Sequence, residues 1–536
     1  MSSETLIKNR RLGFLIWQSI ASILIFLLLK LFIVSPLSPT PSTTTKTHSI
    51  LSGLFTFSIF QISNLGFSLS LSTASSPQLS HPASPFQLAA GGLFSPWTVE
   101  FRRQARLSLS LVALVLASAV SGFVGAVSVC WVNGSFCFSG VEWIWRVGFR
   151  GFVCGLLYGL FFVYKQKWVL EFPIIQRPAY FSFKMGLPSA ITRALKLSSA
   201  AYLSSAVLVV FLADEFMGQL TMGKFITGQI IFYVGTFAVF LCWEISHHLH
   251  QVLHTKRFIF APPKGSAAAE RNPSEPLLAA LEQSTQNSLL QHLAYLDLCM
   301  VCENNVDTWR RAAFFEETGE TYKKVIAVCL RPLEQLATKL GEVMEPGNVD
   351  KASQLSSQLR SPTDSPVYSK YCEPLNSFQL CAWCARIAAF LTAHSHKEDR
   401  FGVAQLSGSN AAVISTLVSC LLAVEAFMGK KTNLQPPHLL AGPAGIKWAP
   451  LNTGRRDVGV VKKNGGPAHS KAYAMADVLR TSIYCIVSAF HDEMMSSAKA
   501  GLLEKDWITS AKPQPLFSTR ELLLQKLRLF LDYQAS

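Results

Sequence analysis

Six long apolar stretches in the first half of the chain constrain its fold most strongly. A helix needs roughly 20 apolar residues to cross the hydrocarbon of a bilayer. Charged residues make up 15% of the 536-residue chain, well below the share typical of soluble proteins. The first stretch is too long for a cleavable signal peptide, and no small-x-small cleavage site follows it. The sequence therefore predicts six membrane-spanning helices, at residues 12–34, 50–71, 107–132, 143–164, 197–213 and 225–245.

Basic residues flank these stretches on alternate sides. Segments 1–11, 72–106 and 165–196 hold twelve Lys and Arg, whereas the intervening loops hold two, Lys46 and Lys224. The positive-inside rule then places the N-terminus and everything after the sixth stretch on the cytosolic side. The basic residues on which this orientation depends most are Lys8, Arg10, Arg11, Arg102, Arg103, Arg106, Lys165, Lys167, Lys256 and Arg257.

The net charge of +15 invites a nucleic-acid interpretation, but its distribution argues against one. Residues 1–245 account for +10 of it, with 17 basic and 7 acidic side chains. A basic excess beside apolar spans is a topology signal. We therefore expect no direct contact with nucleic acid.

After residue 245 the chain becomes more polar and predicts a second, soluble half. Residues 246–276 are expected to form an interfacial helix followed by a Pro-rich linker, and residues 277–536 a cytosolic interaction domain. Apolar residues there recur at three and four positions, and strand alternation is rare. The predicted fold is all-α, a six-helix transmembrane half followed by a mostly α-helical soluble domain. Its predicted helices include 321–340, 376–394, 410–429, 471–499 and 519–533.

Two insertions interrupt the predicted helical domain. Residues 341–370 are Ser-rich and contain RSPTDSP, in which Ser361 and Ser365 each precede a proline. These two serines are candidate phosphorylation sites. Residues 432–469 are rich in Gly and Pro and are basic, which is typical of a solvated loop or a lipid contact. Tolerated surface insertions would explain both segments equally well.

The stretch QHLAYLDLCMVCENNVDTWRRAAFF, residues 291–315, can be interpreted in three ways. His292 and Asp297 suggest a membrane acyltransferase, but five positions along a helix turn the two side chains about 140° apart. The phosphate-binding stretch that such enzymes need is also absent. A C-x-x-C pair, Cys299 and Cys302, suggests zinc or redox chemistry. The third interpretation is a purely structural helix followed by paired arginines and aromatic residues.

The cysteine pairs favour packing over chemistry. Cys299 and Cys302, like Cys381 and Cys384, are separated by two residues of helical pattern and not by the turn residues of a zinc ribbon. We expect these thiols to be reduced and buried.

A histidine cluster after the sixth stretch offers the main alternative function. His247, His250 and His254 recur at three and four positions, on one face of a helix. A polytopic endoplasmic-reticulum enzyme or transporter could use such a cluster. A metal site would need further histidine boxes, however, and an interfacial helix drawn to anionic headgroups explains the pattern more simply.

The architecture and two stretches of sequence resemble the pore-membrane nucleoporin family of nuclear division cycle protein one. One stretch is HTKRFIF, residues 254–260, directly after the last span. The other is the 291–315 stretch, in which the family has an Asp-Leu on a helix followed by paired Arg and a Phe. In this chain the corresponding residues are Asp297, Leu298, Arg310, Arg311 and Phe314.

This resemblance implies an integral membrane protein of the nuclear envelope and the nuclear pore complex. It implies that the protein anchors the pore complex and supports its assembly, while the soluble domain recruits linker, scaffold and other membrane nucleoporins. The five residues that match the family motif become candidates for partner binding. No catalytic residue, cofactor or metal is expected, and the predicted function is not enzymatic.

Overall fold

The chain forms two compact units, described here from a computed structural model. The first unit is Met1–Arg257 with Asn287–Leu290, and the second is Phe258–Gln286 with Gln291–Ser536. The described residues are helical and contain no strand, as the predicted all-α fold requires; a single isolated bridge joins Ser76 and Val169. The residues that the structure describes are 3–29, 46–78, 99–130, 141–173, 175–211, 222–263, 265–267, 269, 272–283, 288–344, 373–432, 467–508 and 517–535.

Long helices make up the first unit. The apolar stretches of the sequence become helices because a helix pairs the backbone N–H and C=O groups within the segment itself, where a bilayer offers them no water. Their apolar runs of Leu, Ile, Val, Phe and Ala contain no Pro to interrupt that pairing. In chain order they are α1 (Ser3–Leu29), α2 (Lys46–Ala74), α3 (Val99–Cys130), α4 (Val141–Tyr164), α5 (Ala179–Phe211) and α6 (Met222–Thr255).

Helix α6 is the centre of the first unit, since it contacts each of the other five helices. Its Trp243 is fully buried and stacks on Phe67 of α2, with ring centroids 5.1 Å apart. Tyr158 of α4 approaches the same indole at 4.9 Å. The last membrane helix is therefore fixed by aromatic packing that involves residues far away in sequence.

Glycines allow α3 and α4 to approach closely. Gly151, Gly155 and Gly159 recur every four residues on one face of α4. A Cβ at Gly155 would overlap the carbonyl oxygen of Ser118, and one at Gly159 would overlap the hydroxyl of Ser118. Small residues at this spacing are how membrane helices gain close packing without a hydrophobic driving force.

Five of the six predicted spans overlap helices that are long and apolar enough to cross a membrane: Thr5–Leu29, Gly53–Ala74, Phe101–Cys130, Ile144–Tyr164 and Ile226–Thr255. The predicted span 197–213 lies mostly in α5, which does not reach this criterion within the described part of the chain. Helix α5 carries Lys184, Arg193 and Lys196 before its apolar run begins. That apolar run continues in the sequence beyond the described residues. Helix α5 nevertheless packs against α4 and α6.

A sixth helix of sufficient length and hydropathy, Ser409–Gly429, lies in the second unit. Of its apolar window, 78% is buried by the protein itself, compared with 28–50% for the five helices of the first unit. A helix that is apolar all round is either a membrane span or the core of a bundle. The burial identifies this helix as a core helix of the second unit.

The second unit is also helical, and its elements are shorter. Two 3₁₀ turns, Asn305–Asp307 and Glu373–Ser377, interrupt the series. The α-helices are α7 (Glu275–Gln283), α8 (Leu289–Glu303), α9 (Thr308–Ala312), α10 (Glu320–Met344), α11 (Phe378–Glu398), α12 (Val403–Leu406), α13 (Ser409–Thr432), α14 (Pro467–Ala489), α15 (His491–Lys499), α16 (Leu503–Trp507) and α17 (Arg520–Ala535).

Four of these helices, α10, α11, α13 and α14, pack around a shared core, each against at least two of the other three. The predicted helix 471–499 is broken into α14 and α15 at Phe490, where the sequence has no Gly or Pro. Phe490 is buried against Trp507, with ring centroids 5.2 Å apart, and against His396 at 5.0 Å. Tertiary packing of this ring therefore overrides the local helical pattern.

The last helix, α17, presents a narrow apolar stripe to the rest of its unit. Leu523, Leu527 and Leu531 recur every four residues and are buried, whereas Leu522 is 47% exposed. Most of the insertions 341–370 and 432–469 lies outside the described residues, and so do Ser361 and Ser365.

Candidate functional site

A buried ion pair lies at the centre of the 291–315 stretch. Asp297 is on α8, and Arg310 is on the short helix α9 after the 3₁₀ turn reverses the chain. The Arg310 guanidinium donates two hydrogen bonds to the Asp297 carboxylate, Nη2 to Oδ2 at 2.7 Å and Nη1 to Oδ1 at 3.3 Å. The Asp297 side chain is fully buried and that of Arg310 is 2% exposed. The planar fork of arginine matches a carboxylate in this two-bonded geometry.

The same pair holds the backbone of Phe260. The Phe260 amide donates to Asp297 Oδ2 at 2.9 Å, and its carbonyl accepts from Arg310 Nη2 at 3.1 Å. A buried ion pair is tolerated only when its remaining polar atoms are also hydrogen-bonded. Here the HTKRFIF segment supplies those partners. The two sequence stretches that carry the family resemblance therefore meet in one contact.

Arg311 caps the end of α8. Its Nη1 donates to the carbonyls of Cys302, at 3.2 Å, and Asn304, at 3.4 Å. On the other edge of the guanidinium, Nε donates to Glu398 Oε2 at 2.9 Å, near the end of α11. The last carbonyls of a helix have no partner within it. Arg311, which is 1% exposed, satisfies the Cys302 carbonyl of α8 and ties α8 to α11.

The remaining motif residues pack in the interior. Leu298 is fully buried and Phe314 is 1% exposed. Phe315 packs on Tyr322 at 5.5 Å between ring centroids, and the Tyr322 hydroxyl donates to Asn410 Oδ1 at 3.3 Å. Burial raises the pKa of Tyr322 above its ordinary value. All five motif residues thus stabilise the fold directly, and their role in partner binding stays a prediction.

The sequence did not indicate that Glu398 pairs with Arg311 or that Glu303 pairs with Arg386. Glu398 lies 87 positions from Arg311, and a second pair joins Arg386 Nη2 to Glu303 Oε2 at 2.7 Å, 83 positions apart. Burial raises the pKa of Glu303, against the opposing effect of the Arg386 charge. Separations of this size leave no periodic signal in one sequence. Only the paired arginines themselves indicated that buried partners were needed.

The cysteine pairs lie in the core as free thiols. Cys299, Cys302, Cys381 and Cys384 are all buried. Burial raises the pKa of each thiol, that of Cys381 to about 11. Within the described ranges no group of three or more His, Cys, Asp or Glu side chains is arranged to hold a metal ion. The expectation of reduced, buried cysteines agrees with this arrangement.

The histidine cluster does not converge on a common point. His247 Nε2 lies 3.0 Å from the Lys167 carbonyl oxygen, on one side of α6. His250 and His254 instead stack on each other at 4.0 Å, with Phe14 of α1 at 5.1 Å from His250. His250 and His254 pack against α1 and His247 packs on Phe162 of α4, so the three do not form the exposed face of a separate interfacial helix. Among the described residues the three histidines belong to no group of three or more side chains arranged to hold a metal ion.

Several of the predicted topology anchors make specific contacts. Arg10 caps the end of α6, where Nη1 donates to the His254 carbonyl and Nη2 to the Lys256 carbonyl, both at 2.7 Å. Lys167 Nζ donates to Glu244 Oε1 at 2.9 Å. Arg257 is partly exposed. The other anchors are exposed: Lys8, Arg11, Arg102, Arg103, Arg106, Lys165 and Lys256.

Glu244, at the end of the sixth predicted span, is a buried charged centre. It accepts hydrogen bonds from Lys167, from Arg193 Nε at 3.1 Å and from the Tyr158 hydroxyl at 3.2 Å. Its partners therefore come from α4, α5 and the loop between them. A lone charge at this depth would be costly. The three donors compensate it and join the last three helices of the first unit.

Comparison with known proteins finds a family match over part of the chain. Residues 142–373 match the family model described as nucleoporin protein Ndc1-Nup. The matched region runs from α4 to the insertion after α10 and includes Glu244, Phe260 and the 291–315 stretch. A search of curated proteins found no match. The resemblance predicted from the sequence is confirmed by this family match.

Proposed function

Residues 142–373 match the Ndc1-Nup nucleoporin family, and we propose on that premise that the chain is a membrane nucleoporin that anchors the nuclear pore complex in the nuclear envelope and supports pore assembly. In this proposal the long helices of the first unit hold the protein in the membrane. The second unit recruits linker and scaffold nucleoporins and contacts other membrane nucleoporins. The protein acts as a scaffold and not as an enzyme.

The contact of Phe260 with Asp297 and Arg310 carries this proposal. Phe260 follows Thr255, the last residue of α6, by only five positions. Both of its backbone polar groups are held by the buried pair. The chain that leaves the last membrane helix is thus secured almost immediately to the interior of the second unit. An anchor needs such a connection, because a long free linker would let the attached domain drift from the membrane.

A cytosolic or nucleoplasmic location for both termini is part of the proposal. Arg10, near the start of α1, bonds to carbonyls at the end of α6, and Phe14 packs on His250. The beginning of the first helix and the end of the last therefore lie at the same end of the first unit. The concentration of basic residues in segments 1–11, 72–106 and 165–196 supports assigning that end to the cytosolic side.

The exposed side chains beside the buried arginines supply a surface for the recruited nucleoporin. Val306 is 86% exposed and Trp309 is 37% exposed, both on the segment that Arg310 and Arg311 fix. Tryptophan is among the residues that most often form binding hot spots, and Trp309 lies on this rigid segment. In this proposal the motif arginines act indirectly, because they position the residues that contact the partner.

Imaging and proximity labelling of the full chain test the proposal. With a labelling enzyme fused to the C-terminus, we expect a punctate nuclear rim and enrichment of pore-complex proteins. The substitutions Val306→Asp and Trp309→Ala should reduce labelling of linker nucleoporins while the rim signal persists. A matched control is Leu502→Asp, at a position 47% exposed elsewhere in the unit. A diffuse reticular signal without pore proteins would refute the anchor.

A further inference from the structure

A cavity of about 440 Å³ opens between the end of α6 and the loop that connects α4 to α5. Its polar lining includes Arg177 on the loop, Lys256 just after α6, and the His248 ring. Glu171 is the one carboxylate among the residues that line it. Two basic groups facing one acidic group leave an excess of positive charge. The cavity therefore has the electrostatic character of an anion site.

The walls of this cavity are held by two glutamine side chains. The Gln251 side chain of α6 accepts from the Glu171 amide at 3.2 Å and donates to the Val169 carbonyl at 3.0 Å. From the loop, Gln176 Oε1 accepts from the Arg257 amide at 3.3 Å. The loop is thereby fixed to the end of α6 at both ends of the cavity. A site whose walls are already ordered loses less entropy when a ligand binds.

The start of α5 adds to the positive potential. Ala179, the first residue of this helix, lines the cavity, and the first turn of α5 contains no acidic residue. The first amides of a helix have no partner within it and carry a partial positive charge. Together with Arg177 and Lys256 they favour a phosphate or carboxylate group.

Exposed apolar side chains at the mouth of the cavity distinguish a lipid from a soluble anion. Ile175 and Met185, both cavity-lining, are 65% and 64% exposed, and Tyr180 beside them is 68% exposed. The cavity is lined by the last turns of α6, where the candidate span Ile226–Thr255 ends, and by the loop that follows the candidate span ending at Tyr164. A position at the ends of two candidate spans suits a lipid headgroup, with Ile175 and Met185 available to the acyl chains.

We propose that this cavity binds the headgroup of an anionic glycerophospholipid, with its phosphate between Arg177 and Lys256 and its acyl chains along Ile175 and Met185. Basic pockets between membrane helices on the cytosolic side suit such headgroups. The lipid site itself does not depend on recruitment of nucleoporins. Only the choice of leaflet, the cytosolic one, rests on the orientation given under the proposed function. A failure of lipid binding therefore leaves the anchoring function intact, and the reverse also holds.

Native mass spectrometry of the full-length chain tests the proposal. The protein is purified in detergent with equal amounts of phosphatidylserine and phosphatidylcholine, and the retained lipids are identified. We expect preferential retention of phosphatidylserine. Replacing Arg177 and Lys256 by Glu should reduce that retention by about fivefold or more for each removed charge. Equal retention of the two lipids by the unmodified chain, or unchanged retention by the variant, overturns the proposal.

Two further experiments distinguish binding in the cavity from non-specific attraction of the basic protein to anionic lipids. The control variant Lys323→Glu and Lys324→Glu makes the same change in net charge on α10, at exposed positions that do not line the cavity, and should retain the lipid. If the Glu variant does not fold, the neutral pair Arg177→Gln and Lys256→Gln replaces it. Glycerophosphoserine, the headgroup without acyl chains, should not displace the lipid. If glycerophosphoserine displaced the lipid at equal concentration, the cavity would be a phosphate site without a role for acyl chains. That result would contradict the lipid assignment.

Discussion

Asp297 and Arg310, thirteen positions apart in the chain, form a two-bonded ion pair from which water is almost fully excluded, with Nη2 and Oδ2 at 2.7 Å. The pair also binds both polar groups of the Phe260 backbone. A motif that resembled a partner-binding element in the sequence is therefore first an element of folding. The consequence for mutagenesis is that loss of function at these positions can report loss of the fold.

Removing one member of this pair should destabilise the second unit strongly. For Arg310→Met we expect a loss of about 3–5 kcal/mol, because the Asp297 carboxylate stays buried without its partner. The double variant Asp297→Leu with Arg310→Met should lose less than the two single changes summed, since no uncompensated charge remains. Denaturant unfolding of the detergent-solubilised chain measures both. The exposed Lys323→Met on α10 is the control, and an Arg310→Met variant as stable as that control would contradict the assigned role.

The planar guanidinium of Arg311 should not be replaceable by the ammonium group of a lysine. In Arg311→Lys we expect increased amide hydrogen exchange near the end of α8, because one ammonium cannot bond both the Cys302 carbonyl and Glu398. The stability loss should be about 1–3 kcal/mol. Hydrogen exchange followed by mass spectrometry localises the effect. Protection at 302–305 equal to that of the unmodified chain would show that the capping contact contributes nothing.

Close packing of α3 against α4 should depend on Gly155. Gly155→Ala is expected to separate the two helices, since its Cβ would overlap the Ser118 backbone. The yield of monodisperse protein in detergent should fall and thermal aggregation should begin earlier. Gly228→Ala on α6 is the matched control, because a Cβ there meets no atom within 4 Å. Equal behaviour of the two variants would exclude the glycine contact as a determinant of folding.

The buried cysteines should be inert in the folded protein. At neutral pH we expect Cys381, Cys384, Cys299 and Cys302 to resist alkylation by iodoacetamide until the chain is denatured, because burial excludes the reagent and raises the pKa of each thiol. Peptide mapping quantifies the modification.

The same raised pKa values set a pH dependence. The folded state holds these protons more tightly than the unfolded chain, whose thiols have a pKa of about 8.5. Their contribution to stability is complete below that pH and is lost progressively as the pH rises toward the folded-state pKa, that of Cys381 being about 11. Rapid native alkylation, or stability that increases over this alkaline range, would be inconsistent with buried thiols.

Ser361 and Ser365 should be phosphorylated in dividing cells. Each precedes a proline in RSPTDSP, within a Ser-rich insertion, and both lie outside the described residues. Phosphopeptide mass spectrometry of mitotic and interphase material measures the occupancy, and the Ser361→Ala with Ser365→Ala chain serves as the blank. If neither serine were phosphorylated in mitotic material, the prediction would be wrong.

Some elements could be predicted from the sequence, and others not. Runs of about 20 apolar residues predicted α1, α2, α3, α4 and α6, because the length needed to cross a bilayer is a local property. The apolar helix Ser409–Gly429 was predicted as a soluble helix, and its burial within the second unit agrees with that. The break at Phe490 could not be predicted, because it depends on Trp507 and His396 from other helices.

The sequence by itself determined that this protein is helical and membrane-bound, since hydropathy and charge distribution act residue by residue along the chain. It also drew attention to Arg310 and Arg311. Only the tertiary structure decided what those arginines bind, that His250 packs on Phe14, and that Glu244 has three donors. The physical reason is that a charge removed from water must find a partner in space, and those partners come from helices that one sequence does not order relative to each other.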